Sequence, residues 1–477
     1  MKEVMSKDHE TDEPEGSQKM KEFYKAVWRC HFYAGLFVIP FVIILSVTGI
    51  IYLFKPQLDS IIYRDMLVVK PRPEMTSPEE QERAVKEQLP NAFIRSYIPS
   101  ARADRSSQFE ITDANKRELS VFVDPHTGKV LGNYETKNSF ANFAFRIHGE
   151  LLIGKWGDHM VELVASWAIV LILTGLYLWF PSGKGSLVSA LLPALWKKRR
   201  RSFWRGLHSS AGFYGSLIIL FMLISGLFWT EFWGGTFAGV WSDFPRDKDP
   251  SGFSSQALTG SLNNGIEKKI AWAVETMPLP ESGHHHDHGS MVMSEKADDA
   301  AGEDISLDSL VAVAKENDLA DGYSILFPQN RSGVFTISAP VDDPIKQETI
   351  HLDRYSGKIL AKVGWDDYPT VPRIVSFAIS IHQGRYFGIA NQLLMLTAAL
   401  VVLLLSFSGI IMWWNRRPAR TLGAPQPPSD PKIRKTIVVM LLLLGVLLPF
   451  VGGSLLIVLI FDLLIFRRLP GSRSSIG

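Results

Sequence analysis

Four of the twelve histidines occupy matching positions in a sequence that repeats itself. Two of them follow a Trp-Arg pair at the start of a long apolar run, and both have a glycine four residues later. The other two follow an isoleucine shortly before a long apolar run. The four are His31, His208, His148 and His382. Because an ionisable residue at a membrane edge is costly to bury without a partner, these histidines are candidate functional residues.

Paired imidazoles that face each other across a helix bundle are typical axial ligands of haem iron. The single cysteine, Cys30, excludes a cysteine-ligated zinc or iron–sulfur site, and no C-x-x-C-H attachment motif is present. We therefore predict two b-type haems (heme b). His31 and His208 would share one, and His148 and His382 the other. The alternative for each histidine is an interfacial residue bonded to a neighbour.

Residues near these histidines fit the same interpretation. Gly35 and Gly212, one turn after His31 and His208, would let a flat ring approach the backbone. An arginine precedes three of the four histidines by two or three positions, where it could pair with haem propionates. These are Arg29, Arg146 and Arg205. No catalytic residue beyond the haem positions is assigned.

The other histidines have no repeat partner. We interpret His9, His126, His159 and His351 as surface residues and keep His159 as a spare candidate ligand. The tract His284, His285, His286 and His288 has the composition of a loose metal-binding segment. It stands in a stretch rich in Gly, Ser and acidic residues, so we expect deletion of residues 284–293 to leave haem content nearly unchanged.

The elements that must position the histidines are membrane spans. Hydrophobic residues make up 46% of the 477-residue chain, and they concentrate in long runs. Four runs are long enough to cross a bilayer, namely Phe32–Phe54, Val161–Phe180, Ala211–Trp229 and Leu393–Trp414. A fifth run, Thr436–Phe466, is broken at Pro449 and fits two short tilted spans or a hairpin. The sequence thus predicts an α-helical bundle of about six spans.

Orientation follows from charge. The loops 182–207 and 415–435 are strongly basic, which places them in the cytoplasm by the positive-inside rule. Both termini are then cytoplasmic, and the long loops 55–160 and 231–390 are periplasmic. We expect a multi-pass protein of the bacterial inner membrane, with a first span that is not a cleaved signal peptide. The net charge of +2 gives no reason to expect nucleic acid as a partner.

The predicted organisation has eleven segments. In order, they are a cytoplasmic tail 1–30, span 31–54, external domain 55–160, span 161–181, loop 182–207, span 208–230, external domain 231–390 with a His-rich linker 276–304, span 391–414, loop 415–435, C-terminal hairpin 436–466 and tail 467–477.

Each external domain is predicted to be small and α+β. Ser77 and Glu80 form the pattern of a capping box at a helix start, and strands follow near 108–112 and 119–123. The second copy has a helix near 306–316 and strands near 323–327, 334–338 and 349–352. Residues 250–304 are predicted to form a linker without regular structure.

With these motifs the sequence resembles the PepSY-associated transmembrane family, which includes iron-regulated inner-membrane proteins and siderophore reductases. The resemblance covers roughly residues 20–466 and rests on H-x-x-x-G, Ile-His, T-G-x-Y-L-W at Thr174–Trp179 and D-x-x-[TS]-G-K. It implies PepSY-like external domains and a haem-ligand role for His31, His148, His208 and His382. Some relatives carry a fused flavin module, and this sequence shows none. The resemblance therefore implies a separate electron donor.

Two classes of function follow from these observations. In the first, an oxidoreductase takes electrons from a cytoplasmic flavoprotein reductase or from membrane quinol and reduces a ferric siderophore or other ferric chelate outside. In the second, the external domains bind a peptide or protease without redox chemistry. Electron transfer to another acceptor, such as Cu(II), is a variant of the first. The colour of the purified protein distinguishes the two classes.

Overall fold

The computed structural model describes residues 15–180, 200–241, 257–263, 265, 268–282, 303–339, 342–419 and 421–461. Its contacts divide the chain into two units. The membrane unit comprises Met1–Ser46, Asp158–Leu227 and Ala398–Gly477, and the sheet unit comprises Val47–Gly157 and Phe228–Thr397. The histidine tract 284–288 and His9 lie outside the described residues.

Four helices in the described part of the chain are long and apolar enough to cross a membrane. They are α1 (Glu15–Leu53), α6 (Lys155–Trp179), α7 (Arg200–Leu227) and α11 (Ile389–Arg416). These correspond to the four predicted spans, and the chain is a membrane protein. In the membrane unit, Val38, Val164 and Ala168 form a buried apolar cluster between α1 and α6.

Two helices begin earlier than the apolar runs indicated. Helix α1 starts at Glu15, inside the predicted tail 1–30, and α7 starts at Arg200, inside the predicted loop 182–207. Hydrophobicity marks where a helix enters lipid, whereas a polar segment can continue the same helix through its i,i+3 and i,i+4 pairs. The ion pair of Glu22 with Lys25, 2.6 Å long, is one such pair. His31 therefore lies within a helix and not at its start.

The last apolar region is divided at the predicted position. Helix α12 (Pro431–Leu447) ends before Leu448, and α13 starts at Pro449 and is described to Phe461. The backbones of these helices meet at Gly445 and Gly452, where a Cβ atom on Gly445 would lie 2.5 Å from Gly452 Cα. Close approach of this kind requires glycine on both helices.

In the sheet unit, one antiparallel sheet contains strands from both predicted external domains. Its order is β4-β3-β2-β1-β5-β6-β7-β8. The strands are β1 (Phe93–Ile98), β2 (Ser107–Thr112), β3 (Glu118–Val123), β4 (Val130–Glu135), β5 (Ser324–Leu326), β6 (Phe335–Ser338), β7 (Glu348–Leu352) and β8 (Ile359–Gly364). The two halves join where Ser96 and Tyr97 of β1 pair with Leu326 and Ile325 of β5.

Short helices complete the sheet unit. They are α2 (Lys55–Ile62), α3 (Arg64–Leu67), α4 (Pro78–Gln88), α5 (Phe140–Glu150), α8 (Phe232–Trp241), α9 (Leu307–Glu316) and α10 (Thr370–His382). The predicted capping box is present at α4, since Ser77 and Glu80 exchange hydrogen bonds of 3.1 and 3.2 Å. Each half thus has the order helix, four strands, helix. Helices α4 and α9 cover one face of the sheet, and both contribute to its main apolar core.

The described residues between 257 and 282 correct, for their part of the chain, the prediction of an unstructured linker over 250–304. They contain two short 3₁₀ turns, Thr259–Leu262 and Trp272–Val274. Their side chains Ile270, Val274 and Met277 are buried in a second apolar cluster with Leu326 and Tyr368 of the second half. The apolar residues in this stretch are too widely spaced to show a helical or strand period, yet together they bury enough surface to hold it in place.

Two histidines predicted on the surface are buried. His126 is 8% exposed, and its ring nitrogens both lie 2.9 Å from backbone carbonyls, those of Glu74 and Ala103. These carbonyls favour a ring that donates from both nitrogens, which raises the pKa of His126. His351 in β7 is 1% exposed, and its Nδ1 lies 2.8 Å from Thr336 Oγ1. Burial lowers the pKa of His351 to about 4.

Candidate functional site

The membrane unit brings His31 of α1 and His208 of α7 together. Their ring centroids are 6.5 Å apart, and the ring planes are nearly perpendicular, at 88°. Each Nδ1 atom lies 2.9 Å from a hydroxyl oxygen on another helix. For His31 this is Thr174 Oγ1 of α6, and for His208 it is Ser408 Oγ of α11. Four helices thus fix one pair of imidazoles.

The glycines next to these rings are not those that the sequence indicated. A Cβ atom on Gly175 would lie 3.2 Å from His31 Cε1, and one on Gly409 would lie 3.8 Å from His208 Cε1. A Cβ atom on Gly35 would instead lie 3.8 Å from Leu171 Cδ2, and one on Gly212 would lie 3.6 Å from Leu405 Cδ2. A glycine beside each ring leaves the imidazole room to lie flat against the neighbouring helix.

This pair fits the donor set that a haem needs. An imidazole nitrogen binds a metal at about 2 Å, so two imidazoles on opposite sides of one iron have ring centroids somewhat over 6 Å apart. The observed separation is 6.5 Å. A hydrogen bond at Nδ1 fixes the ring orientation and leaves Nε2 as the ligand atom.

His148 and His382 both lie in the sheet unit, each in the last turn of a helix, α5 and α10. His148 has surroundings like those of His31, since its Nδ1 is 3.4 Å from Thr48 Oγ1 of α1. A Cβ atom on Gly49 would lie 3.0 Å from His148 Cε1. A hydroxyl residue followed by glycine therefore stands beside three of the four predicted ligands.

A cavity of about 60 Å³ lies between α1, α5 and α10. Phe145 of α5 and Ile379 of α10 both line it, and each precedes its helix's histidine by three residues. Tyr52 of α1 stacks on Phe145 with ring centroids 4.6 Å apart. Positions three apart share a helix face, so both histidines are on the cavity side of their helices.

The three predicted arginines have different surroundings. Arg29 donates to the carbonyl of Pro425 at 2.5 Å, and Arg146 pairs with Glu150 at 2.9 Å. Both precede their histidine by two residues, and positions two apart do not share a helix face. Arg205 is exposed and precedes His208 by three, which is the spacing of a shared face. A propionate-binding role stays a prediction for all three.

Sequence reasoning missed the hydroxyl partners Thr48, Thr174 and Ser408. A signal for them exists, because a Thr-Gly or Ser-Gly pair occurs once in each long apolar helix, at 48–49, 174–175, 225–226 and 408–409. The spare candidate His159 lies on α6, and its Nδ1 is 3.8 Å from Asp158 Oδ2.

A family model of the PepSY-associated TM region matches residues 28–416 of this chain. The match includes α1 from residue 28, the other three long helices, the sheet and all four repeated histidines. No curated protein matches the chain closely enough to be compared with it.

Proposed function

Because the chain belongs to the PepSY-associated TM region family, we propose that it is a dihaem membrane oxidoreductase that reduces ferric chelates outside the cytoplasmic membrane. The observation that carries the proposal is the His31–His208 pair, whose ring separation of 6.5 Å suits two axial ligands of one iron. A bound haem would supply reversible one-electron chemistry at this position.

The protein residues have separate roles in this proposal. His31 and His208 would hold the haem iron through Nε2, while the Thr174 and Ser408 hydroxyls hold the opposite ring nitrogens. Two ionisable imidazoles held close together in membrane-spanning helices would be costly without such a task.

The second pair supports transfer of electrons from one side of the membrane to the other. His148 and His382 follow residues that line one cavity, and Thr48 lies beside His148 as Thr174 lies beside His31. We propose that these two histidines bind the outer haem. One haem alone would leave the substrate side without a redox centre.

The proposed topology has six spans, with α12 and α13 as the last two. The basic segments 182–207 and 415–435 place the His31–His208 pair near the cytoplasm by the positive-inside rule. Electrons would come from a cytoplasmic flavoprotein reductase or from quinol. The acceptor would be Fe(III) in a siderophore or similar chelate, because oxygen-rich chelators hold Fe(III) far more tightly than Fe(II).

A pyridine haemochrome assay on protein purified in detergent from haem-replete cells tests the proposal. We expect close to two non-covalent haems per chain, and about half as much in His208→Ala. His126→Gln, which changes a histidine of the sheet unit that bonds only backbone carbonyls, should retain both. A colourless wild-type preparation would refute the proposal.

The acceptor is tested separately, by anaerobic reoxidation of the dithionite-reduced protein. Ferric chelates should reoxidise it faster than Cu(II) or quinones at equal concentration. Faster reoxidation by Cu(II) would leave the haem proposal standing and would show that Cu(II), not a ferric chelate, is the preferred acceptor.

One observation favours a binding function without redox chemistry. A cavity of about 390 Å³ opens on the sheet at β1, β2 and β5, with polar lining residues that include Arg95, Glu110 and Lys269. This volume is within the range of small-ligand sites. Haem content decides between the two functions, since a pure binding protein would contain none.

A further inference from the structure

Three potential metal ligands come together in the first two turns of α6. Asp158 and Glu162 are four residues apart, and His159 and Glu162 are three apart, so one face of the helix carries all three side chains. One ligand atom from each lies within 4.8 Å of the other two. This group is in the membrane unit and shares no residue with the histidine pair of that unit.

The surroundings of this group are apolar. Glu162 is 0% exposed, although it belongs to a helix that is long and apolar enough to span a membrane. The ring of His159 lies against Phe450 of α13, with centroids 5.5 Å apart. Asp158 and His159 keep partial exposure, with side-chain values of 20% and 32%. The group is therefore closed on the Glu162 side and reachable from the Asp158 side.

The distances suit one small cation. Oxygen and nitrogen ligands bind a divalent transition metal at about 2.0–2.2 Å, so ligand atoms on one ion are at most about 4.4 Å apart. The three ligand atoms of this group lie within 4.8 Å of one another, and Asp158 Oδ2 is 3.8 Å from His159 Nδ1. Small side-chain rotations would bring all three atoms onto one ion.

Charge and donor type select the class of ion. Two carboxylates carry two negative charges when both are ionised, and a divalent cation would neutralise them. Burial of the Glu162 carboxylate in a membrane helix is costly, and a bound divalent cation would lower that cost. An imidazole beside two carboxylates favours Mn²⁺, Fe²⁺ or Zn²⁺ over Mg²⁺ or Ca²⁺, which prefer oxygen ligands alone.

We propose that Asp158, His159 and Glu162 form a binding site for one divalent transition-metal ion of the Mn²⁺, Fe²⁺ and Zn²⁺ class. Three protein ligands leave further coordination positions for water. The site is independent of the haem proposal, because it uses none of the four histidines proposed to bind haem, and His159 is only a spare candidate there.

Mn²⁺ is the probe, because its room-temperature EPR signal disappears on binding while haem iron is silent under these conditions. The full chain is purified with His284, His285, His286 and His288 changed to alanine, so that this tract does not bind the probe. We expect about one Mn²⁺ bound per chain. Zn²⁺ should displace Mn²⁺ at lower concentration, following the usual order of affinities.

Two variants of the site and one control complete the test. Glu162→Gln and Asp158→Asn keep the side-chain shapes and should each weaken Mn²⁺ binding at least about tenfold, since loss of even an outer partner of a metal ligand costs about ten- to a hundredfold. Glu87→Gln removes one charge from an exposed position of α4 and should leave binding unchanged. Two results would overturn the proposal: no Mn²⁺ or Zn²⁺ bound at millimolar concentration, or equal binding in the parent and in both site variants. Thermal melting identifies a misfolded variant, and the other variant then decides.

Discussion

Thr174 and Ser408 determine how the two imidazoles of the membrane unit are oriented. Each hydroxyl lies 2.9 Å from an Nδ1 atom, and this contact selects the tautomer whose Nε2 is free to bind a metal. Both residues act through a histidine and are positioning residues in the proposed function. Their local sequence shows only a hydroxyl residue before a glycine. The contact with a histidine could not be predicted from it, because that contact depends on how the helices pack.

We expect Thr174→Val and Ser408→Ala to weaken binding of the haem proposed at His31 and His208 by about ten- to a hundredfold. Loss of a hydrogen-bond partner of a ligating histidine has an effect of this size. Haem titration of the apoprotein and a redox titration at the haem α-band measure affinity and midpoint potential. Thr397→Val is the control, since the Thr397 hydroxyl is exposed and bonds only Leu393 of its own helix. Unchanged affinity and potential in both variants would contradict the positioning role.

His351 gives a pH prediction at the same scale. Its pKa is lowered to about 4 in the folded protein and is near 6.5 when unfolded. The unfolded chain therefore takes up a proton that the folded chain does not accept as pH falls from about 6.5 to 4. Folding stability decreases in this window, by up to about 1.4 kcal/mol per pH unit, and is insensitive to His351 above it.

Melting midpoints of wild type and His351→Gln, followed by tryptophan fluorescence between pH 7.5 and 4.5, measure this effect. The variant keeps a group able to bond Thr336 and cannot titrate. We expect the wild type to be the more stable at pH 7.5 and to lose this advantage progressively below pH 6.5. A constant difference between the two proteins would show that His351 does not contribute.

His126 lies in the turn between β3 and β4, where no alternating pattern applies. Burial of His351 could not be predicted because its strand, β7, is buried on both faces. All four residues Thr349–Leu352 are buried, so the alternation that separates inner from outer positions is lost. A histidine in such a strand looks like a surface residue when the sequence is analysed alone.

Glycines decide the packing of α12 against α13. A Cβ atom on Gly445 would lie 2.5 Å from Gly452 Cα, whereas one on Gly453 would meet no atom within 4 Å. We expect Gly445→Ala to separate the helices and destabilise the protein by about 1–3 kcal/mol. Thermal melting of the full chain in detergent measures this. Gly453→Ala is the matched control and should melt like wild type; equal melting of both variants would contradict the close packing.

Elements set by local chemistry were predictable. The break at Pro449 and the capping box at Ser77 follow from the few residues around them, and both are present. Strand β1 was missed, because Phe93–Ile98 has Arg95 and Ser96 at its centre and a shift of register between Ile94 and Ser96. A bulge interrupts the period of two on which strand prediction depends.

The repeat in the sequence predicts two similar halves but not how they meet. In the structure Glu79 N–H of α4 donates to Asp308 Oδ1 of α9 at 2.9 Å, and one apolar core contains residues of both halves. The pairing joins β1 and β5, each the edge strand of its own half, and these strands are more than 200 positions apart in the chain. No local pattern encodes a contact of that separation. The two predicted external domains therefore share one continuous sheet.

The orientation of the whole molecule is tested with single cysteines in a Cys30→Ser background. Asn115→Cys lies in the exposed β2–β3 turn, Ser182→Cys in the first basic loop and Ser474→Cys in the basic C-terminal segment. The positive-inside rule predicts that a membrane-impermeant maleimide, added to cells with a permeabilised outer membrane, labels only the first. The other two should react after lysis.

Ser474→Cys also tests whether the chain crosses the membrane an even or an odd number of times after residue 435. Helices α12 and α13 have 17 and 13 described residues, or about 25 and 20 Å at 1.5 Å per residue, somewhat short for a bilayer core of about 30 Å. Two short helices can still cross where the bilayer thins locally, and the arginines at 467, 468 and 473 favour the cytoplasmic side. Protection of Ser474→Cys in intact cells therefore agrees with an even number of crossings after residue 435. Labelling of Ser474→Cys together with Asn115→Cys, and not Ser182→Cys, would instead leave one crossing and reduce the bundle to five spans.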